Sequence, residues 1–86
     1  MHDVQTAIDI KLEYFALFRT CTKKSGENLQ LESNDPVELY TQLNLRYRFP
    51  ISRDRIHLVV NDEYSPWDKP LKHGDTVVFI PPVSGG

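Results

Sequence analysis

Three segments of the chain alternate between apolar and polar residues, as strands with one buried face do, and a fourth near the C-terminus has a different pattern. In the first, Asp9, Lys11 and Glu13 separate apolar positions from Ile8 to Tyr14. The last is almost continuously apolar, which is typical of a strand inside a sheet. The predicted strands are 8–14, 27–32, 56–60 and 76–80.

Two further segments have helical character. Residues 16–24 fit a helix of about two turns, closed by basic residues and by Ser25-Gly26. A longer helix is predicted to begin at Pro36, with Asp35 as its N-cap, and to end at Pro50. Glu38, Gln42 and Arg46 are expected to face water, and the apolar stripe consists of Val37, Leu39, Tyr40, Leu43 and Tyr47.

The order of these elements predicts an α+β fold, in which a mixed sheet wraps around one main helix and the last strand is central. Tight turns are expected at Asn61-Asp62 and Gly74-Asp75, and residues 63–72 should form a loop with at most a very short strand. We expect three regions, namely a flexible N-terminal extension at 1–7, a globular domain at 8–80 and an extended tail at 81–86.

Length and composition favour a binding or carrier role over a self-contained enzyme. A chain of 86 residues with 40% hydrophobic content forms one modest core and hardly a deep catalytic cleft. The ten basic and twelve acidic residues are interspersed, so we expect no basic patch and no nucleic-acid partner. No segment is apolar over the length of a membrane span, so we expect a soluble protein. Cys21 is the only cysteine, which excludes an internal disulfide and fits the reducing cytoplasm.

The residues that usually carry chemistry are scattered. His2, His57 and His73 lie far apart and lack ligand spacing, so no metal site is expected. The sequence contains neither a nucleophile elbow nor a Gly-rich phosphate loop. Cys21 lies on an apolar helix face and is interpreted as a core or boundary residue.

One candidate binding surface follows from the strand pattern. Phe15 interrupts the solvent-facing series that ends at Glu13. If Val78 and Ile80 point away from the main helix, Ile80 would join Phe15 and His57 in an apolar patch on the bare side of the sheet, as partner sites often do. The alternative is that Phe15 covers a minor core under the short helix.

The ending Pro81-Pro82-Val83-Ser84-Gly85-Gly86 is the second candidate. Six residues reach about 20 Å, two prolines stiffen the base, and two glycines leave the tip without side chains. Such a tip can enter a narrow tunnel in another protein. The Gly86 carboxylate would be the reactive group, and it would need activation, most simply as an acyl-adenylate made by a separate ATP-dependent enzyme.

The turn 61–63, the segment 71–75 and the ending 79–86, together with the element order, resemble the small-subunit family of molybdopterin synthase. That family consists of ubiquitin-like β-grasp sulfur carriers, and the Pro-Pro-Val-Ser lead-in distinguishes it from the thiamine sulfur carriers. The resemblance implies that an E1-like adenylyltransferase adenylates Gly86 with ATP and that a sulfurtransferase or cysteine desulfurase system converts it to a thiocarboxylate. It further implies that the tail donates sulfur inside the large synthase subunit, where cyclic pyranopterin monophosphate becomes molybdopterin.

By the same resemblance this chain would be a non-catalytic donor subunit without a bound cofactor, because the catalytic pocket belongs to the large subunit. The partner-binding residues that it implies are Phe15, Arg19, His57, Ile80, Pro81, Pro82, Val83, Ser84 and Gly85. Other roles stay open at this point, namely a ubiquitin-like modifier joined to lysines, a carrier for thiamine or tRNA thiolation, or a scaffold with an unreactive tail.

Overall fold

The computed structural model describes residues 7–82. These residues form five strands, two α-helices and one 3₁₀ turn; the four predicted strands and two helices follow one another in the predicted order, and the 3₁₀ turn and a three-residue strand within the expected loop are additional. The elements are β1 (Ile8–Glu13), α1 (Ala16–Thr22), β2 (Gly26–Leu31), α2 (Pro36–Tyr47), a 3₁₀ turn (Arg53–Arg55), β3 (His57–Val60), β4 (Glu63–Ser65) and β5 (Thr76–Ile80).

The strands form one mixed sheet in the order β2-β1-β5-β3-β4. β1 runs parallel to β5, whereas β1 with β2, β3 with β5 and β3 with β4 are antiparallel. The prediction that the final strand is central is therefore confirmed. A mixed sheet around one long helix, with the first and last strands side by side, is the β-grasp arrangement that was predicted.

The core lies between the sheet and α2, and aromatic side chains fill much of it. Tyr40 of α2 and Phe79 of β5 meet edge to face with ring centroids 5.3 Å apart. Phe18 of α1 packs edge to face on Phe49 at 4.9 Å, so the short helix also contributes to this core. The apolar stripe of α2 faces inward, as predicted, and its three expected solvent-facing residues are exposed.

Both helices end earlier than the sequence indicates. α1 stops at Thr22 because Lys23 adopts the left-handed conformation, with φ 61°. The expected stop at Gly26 is wrong, since this glycine is the first residue of β2, where an added Cβ would lie 2.5 Å from the Leu12 carbonyl oxygen. α2 ends at Tyr47 and not at Pro50, again through a left-handed cap.

The predicted turn chemistry and N-cap are confirmed. The Asp35 carboxylate accepts a hydrogen bond from the Val37 amide at 2.9 Å and so caps α2. Asn61 and Asp62 have φ of 53° and 70°, the positive values of a tight hairpin turn between β3 and β4. The Asn61 side chain also bonds Asp75 at 2.8 Å, which ties this hairpin to the approach of β5.

Candidate functional site

The base of the predicted tail leaves the sheet from its central strand. Ile80 closes β5, Pro81 is half-buried and Pro82 is exposed. β5 is hydrogen-bonded to β1 on one side and β3 on the other, so the point of departure is held by two neighbours. Val83, Ser84, Gly85 and Gly86 lie outside the described residues, and their predicted roles stay predictions.

The face of the sheet opposite α2 carries the expected apolar residues. Val77 and Phe79 point into the core, so Val78 and Ile80 point the other way. Ile80 pairs with His57 and Val78 with Val59, which places all four side chains on this bare face. The sheet face therefore has the orientation that the patch hypothesis requires.

Phe15 belongs to the same end of the sheet. Glu13 pairs with Val78 in the parallel β1–β5 ladder, so Phe15, two residues later, lies at the level of Ile80. Its side chain is 51% exposed. This exposure argues against the alternative in which Phe15 covers a minor core. We call Phe15, His57, Tyr64 and Ile80 the bare-face patch; Val78 lies on the same face but is buried, with 8% of its surface exposed.

Phe15 holds its position through its backbone. It is the N-cap residue of α1, and its carbonyl accepts the Phe18 amide at 3.0 Å. Helices prefer Ser, Thr, Asp or Asn at this position, because their side chains bond the free amides, and phenylalanine offers no such bond. Ala16 follows with φ 52°, an unfavourable value for a residue with a Cβ. The start of α1 is therefore less stable than a start capped by a polar side chain, and the Phe15 ring is exposed to solvent.

Tyr64 is a member of the patch that sequence reasoning missed. It lies opposite Val59 in β4, its ring meets His57 edge to face at 5.6 Å, and it is 76% exposed. The Asn61-Asp62 turn contained the signal, because a two-residue hairpin loop fixes the register that pairs residue 59 with residue 64.

A groove of about 390 Å³ borders the base of the tail. Its walls include His57 and Tyr64 of the patch, and Pro82 forms part of its edge. Arg55 and Asp54 stand at the rim, where hydrogen bonding from the Ser52 hydroxyl holds the pKa of the Asp54 carboxyl below its usual range. The tail base thus leaves the protein beside a groove that combines residues of the bare-face patch with the charged side chains of Asp54 and Arg55.

A buried polar network fixes α1 against the rest of the fold. Glu27 accepts hydrogen bonds from the hydroxyls of Tyr14 at 2.6 Å and Tyr47 at 2.9 Å, and Lys24 approaches its other oxygen at 3.2 Å. Burial by itself would raise the pKa of the Glu27 carboxyl, but these three donors outweigh it and hold that pKa below 4.5. Burial, reinforced by the bond to Glu27, raises the pKa of Tyr14 far above its ordinary value. Tyr14 lies just after β1 and Lys24 just after α1, so the network connects these two junctions with β2 and with the end of α2.

Other predicted residues have simple placements. Arg19 is exposed on α1, at the end of the sheet from which the tail leaves. Cys21 is half-buried against the core, as expected for a boundary residue. Among residues 7–82 no three His, Cys, Asp or Glu side chains are grouped to hold a metal ion, and no helix there is long and apolar enough to cross a membrane.

Comparison with a curated protein gives a match over almost the whole chain. The sequence is 33% identical over 84 residues to the molybdopterin synthase sulfur carrier subunit of Mycobacterium tuberculosis, which covers 92% of this chain and 99% of that protein.

Solved structures agree with this match. Subunit 1 of a molybdopterin converting factor from Pyrococcus furiosus superimposes with a TM-score of 0.75 at 30% identity, covering 88% of this chain and 99% of the other. In the complex of subunits 1 and 2 of molybdopterin-converting factor from Helicobacter pylori, one chain superimposes with a TM-score of 0.61 at 26% identity, covering 92% and 100%. The model of the ThiS family matches residues 12–86, which include the Gly-Gly end. The chain therefore belongs to the ThiS family.

Proposed function

We propose that this chain is the sulfur-carrier subunit of molybdopterin synthase. The observation that carries the proposal is the origin of the tail: it continues directly from the central strand and leaves beside the exposed bare-face patch. The 33% identity to a protein named for this role supports the assignment. The large synthase subunit is the proposed partner, since a Helicobacter pylori relative forms a complex of subunits 1 and 2.

The proposed cycle begins with activation of Gly86 by an E1-like adenylyltransferase. A carboxylate with a pKa near about 3.5 is ionised at neutral pH and is a poor electrophile. Its oxygen attacks the α-phosphorus of ATP and pyrophosphate leaves. The outer sulfur of a persulfide on the sulfurtransferase or cysteine desulfurase system then attacks the acyl carbon and AMP leaves, which gives an acyl disulfide. A second thiol of the donor system attacks the donor's own sulfur and breaks the S–S bond, so the thiocarboxylate leaves on Gly86 and a disulfide remains on the donor.

In the second half of the cycle the thiocarboxylated tail enters the large subunit and donates its sulfur to cyclic pyranopterin monophosphate. The bare-face patch and Arg19 contact the partner, Pro81 and Pro82 direct the tail, and Val83, Ser84 and Gly85 fit the tunnel. The carrier itself supplies no acid or base to this chemistry. We place the cycle in the cytoplasm, where ATP is available and the free thiol of Cys21 stays reduced.

Intact mass spectrometry of the untagged chain, co-expressed with the E1-like enzyme and the sulfur donor, tests this proposal. We expect a species about 16 Da heavier, as the exchange of oxygen for sulfur requires, and sulfur transfer after addition of the large subunit and its pterin substrate. A variant lacking Gly86 is the matched control and should stay at its unmodified mass. A chain that shows no heavier form, but is found attached through Gly86 to lysines of other proteins, would instead be a modifier.

A further inference from the structure

Both helices end beside the base of the tail. The Lys24 ammonium donates to the Tyr47 hydroxyl at 3.0 Å and so joins the end of α1 to the end of α2. α1 directly follows β1, which runs parallel to β5, so α1 lies at the end of the sheet from which the tail leaves. The bond between Lys24 and Tyr47 places the end of α2 there as well. The cations that this arrangement brings together, here called the basic rim, are Arg19, Lys23, Lys24, Arg46 and Arg48.

The basic rim is largely uncompensated. All five side chains are exposed, and of the ion pairs within residues 7–82 only that between Lys24 and Glu27 involves one of them. Residues 16–28 and 44–48 together carry a formal charge of +4, counting Glu27. The whole chain is −2, so the remainder carries −6. Charges that are interspersed along the sequence are thus unevenly distributed over the elements, and the basic rim is a local excess of positive charge that the sequence order does not reveal.

At two positions of the basic rim, glycine would make the fold more stable than the cation that is present. Lys23 and Arg48 are the C-cap residues of α1 and α2, with φ of 61° and 57°. Glycine is the usual residue in this left-handed conformation, which costs a residue with a Cβ about 1–2 kcal/mol. Attraction to the helix dipole is already provided by Arg19 and Arg46 in the last turns. Both helices therefore carry a strained cation where an unstrained glycine would serve.

We propose that the basic rim binds an acidic protein surface around the opening through which the partner receives the tail. The inference rests on the proposed function and specifies the chemistry of the large subunit at that opening. A folded acidic surface fits the charge distribution better than a nucleic acid, because phosphates extending beyond the rim would meet the part of the chain that carries −6. The rim steers the carrier so that the tail arrives facing its entrance.

Replacing both strained cations by glycine tests the proposal without weakening the fold. In the Lys23→Gly/Arg48→Gly variant the helix caps become favourable, so thermal stability should be equal or higher. Its association rate constant with the purified large subunit, measured by stopped flow, should fall about fivefold or more at about 50 mM NaCl. The difference should largely disappear at about 500 mM NaCl, with the dissociation rate nearly unchanged.

The matched control is Lys69→Gln/Lys72→Gln, which removes the same charge from exposed positions at the other end of the sheet. Its association rate should stay within about twofold of the wild type. The proposal for the basic rim would be refuted if the wild type and the glycine variant had equal association rate constants, or if the variant and the control lost equally in this rate constant. Neither result would affect the proposed sulfur-carrier function. A wild-type chain that did not bind the large subunit at all would defeat the proposed function, and the rim with it.

One measurement separates a protein partner from a nucleic acid. A labelled single-stranded RNA of about 20 nucleotides is titrated with the wild type and the glycine variant. Absence of RNA binding supports the acidic protein surface. RNA binding that the glycine variant loses, without a change in its association with the large subunit, would assign the rim to RNA and refute the proposal.

Discussion

Replacing Glu27 by glutamine keeps the shape of the side chain but removes the negative charge on which Tyr14, Tyr47 and Lys24 converge. One carboxylate oxygen accepts both tyrosine hydroxyls, at 2.6 and 2.9 Å. A hydrogen bond to a charged group contributes about 1.5–3 kcal/mol, against about 1 kcal/mol for a neutral pair. A glutamine oxygen can still accept both hydroxyls, so each bond should lose about 0.5–2 kcal/mol. Both bonds are only partly buried, so the lower half of that range applies and the fold should lose about 1–2 kcal/mol in all.

Lys24 adds little to this loss, because its ammonium is exposed to water and surface ion pairs contribute little. In a domain of this size 1–2 kcal/mol corresponds to a fall in Tm of about 4–15 °C. Glu27→Leu should cost more, since the buried Tyr14 hydroxyl would then lose its acceptor. Adding Tyr14→Phe to that variant should recover part of the loss, which a double-mutant cycle measures.

The pH dependence supplies an independent check. The folded state lowers the pKa of Glu27 below the ordinary 4.5, so its stabilisation is fully present above that value. It is lost as the pH falls through the lower folded-state pKa. Urea denaturation followed by circular dichroism should therefore show the wild type losing its advantage over Glu27→Gln in acid. If the two proteins had equal free energies of unfolding at pH 7 and parallel declines in acid, the network would not be stabilising and the reasoning would be refuted.

Three other substitutions test separate features. Gly26→Ala would place a Cβ 2.5 Å from the Leu12 carbonyl oxygen, and urea titration should show a loss of about 1–3 kcal/mol; an unchanged midpoint would contradict this close approach. Asp62→Gly should stabilise the fold by about 0.5–1 kcal/mol, because glycine adopts the positive φ of this turn without strain. Asn61→Gly should destabilise it by about 1 kcal/mol, because the side-chain bonds to Asp75 and Thr76 are lost. Shifts of Tm with the same sign in both variants would contradict this difference. Phe15→Ser should leave stability equal or higher, because serine can cap α1, but should weaken binding to the large subunit about tenfold. Calorimetric titration giving wild-type affinity would show that Phe15 is not part of the interface.

The regular parts of the fold were predictable because local signals and burial agree there. The alternation in β1, the stripe of α2, the Asp35 cap and the Asn61-Asp62 turn each require a residue type that the sequence supplies. The apolar run of β5 also indicated its central place, because a continuous apolar run is typical of a strand covered on both faces, and Val77, Val78 and Phe79 are all buried.

The helix ends were not predictable, because there the residues oppose the local rules. Lys23 and Arg48 cap helices where glycine is expected, and Phe15 begins one where a capping side chain is expected. The Glu27 network was also hidden, since its members are spread over residues 14–47 and show no regular spacing in the sequence. All three unfavourable caps lie at the end of the sheet that carries the proposed interface, as expected where function outweighs local preference.

The place of β5 between β1 and β3 has a consequence for the newly made chain. Until β5 is synthesised and inserted, the sheet consists of two unconnected hairpins, β2-β1 and β3-β4, with no strand between them. The residues that lead into the tail belong to the strand whose insertion joins those halves. If Gly86 is activated as proposed, an incompletely folded chain would not hold the tail base in a fixed position for the activating enzyme. Activation, and the ATP that it consumes, would then be restricted to carriers that have completed the sheet.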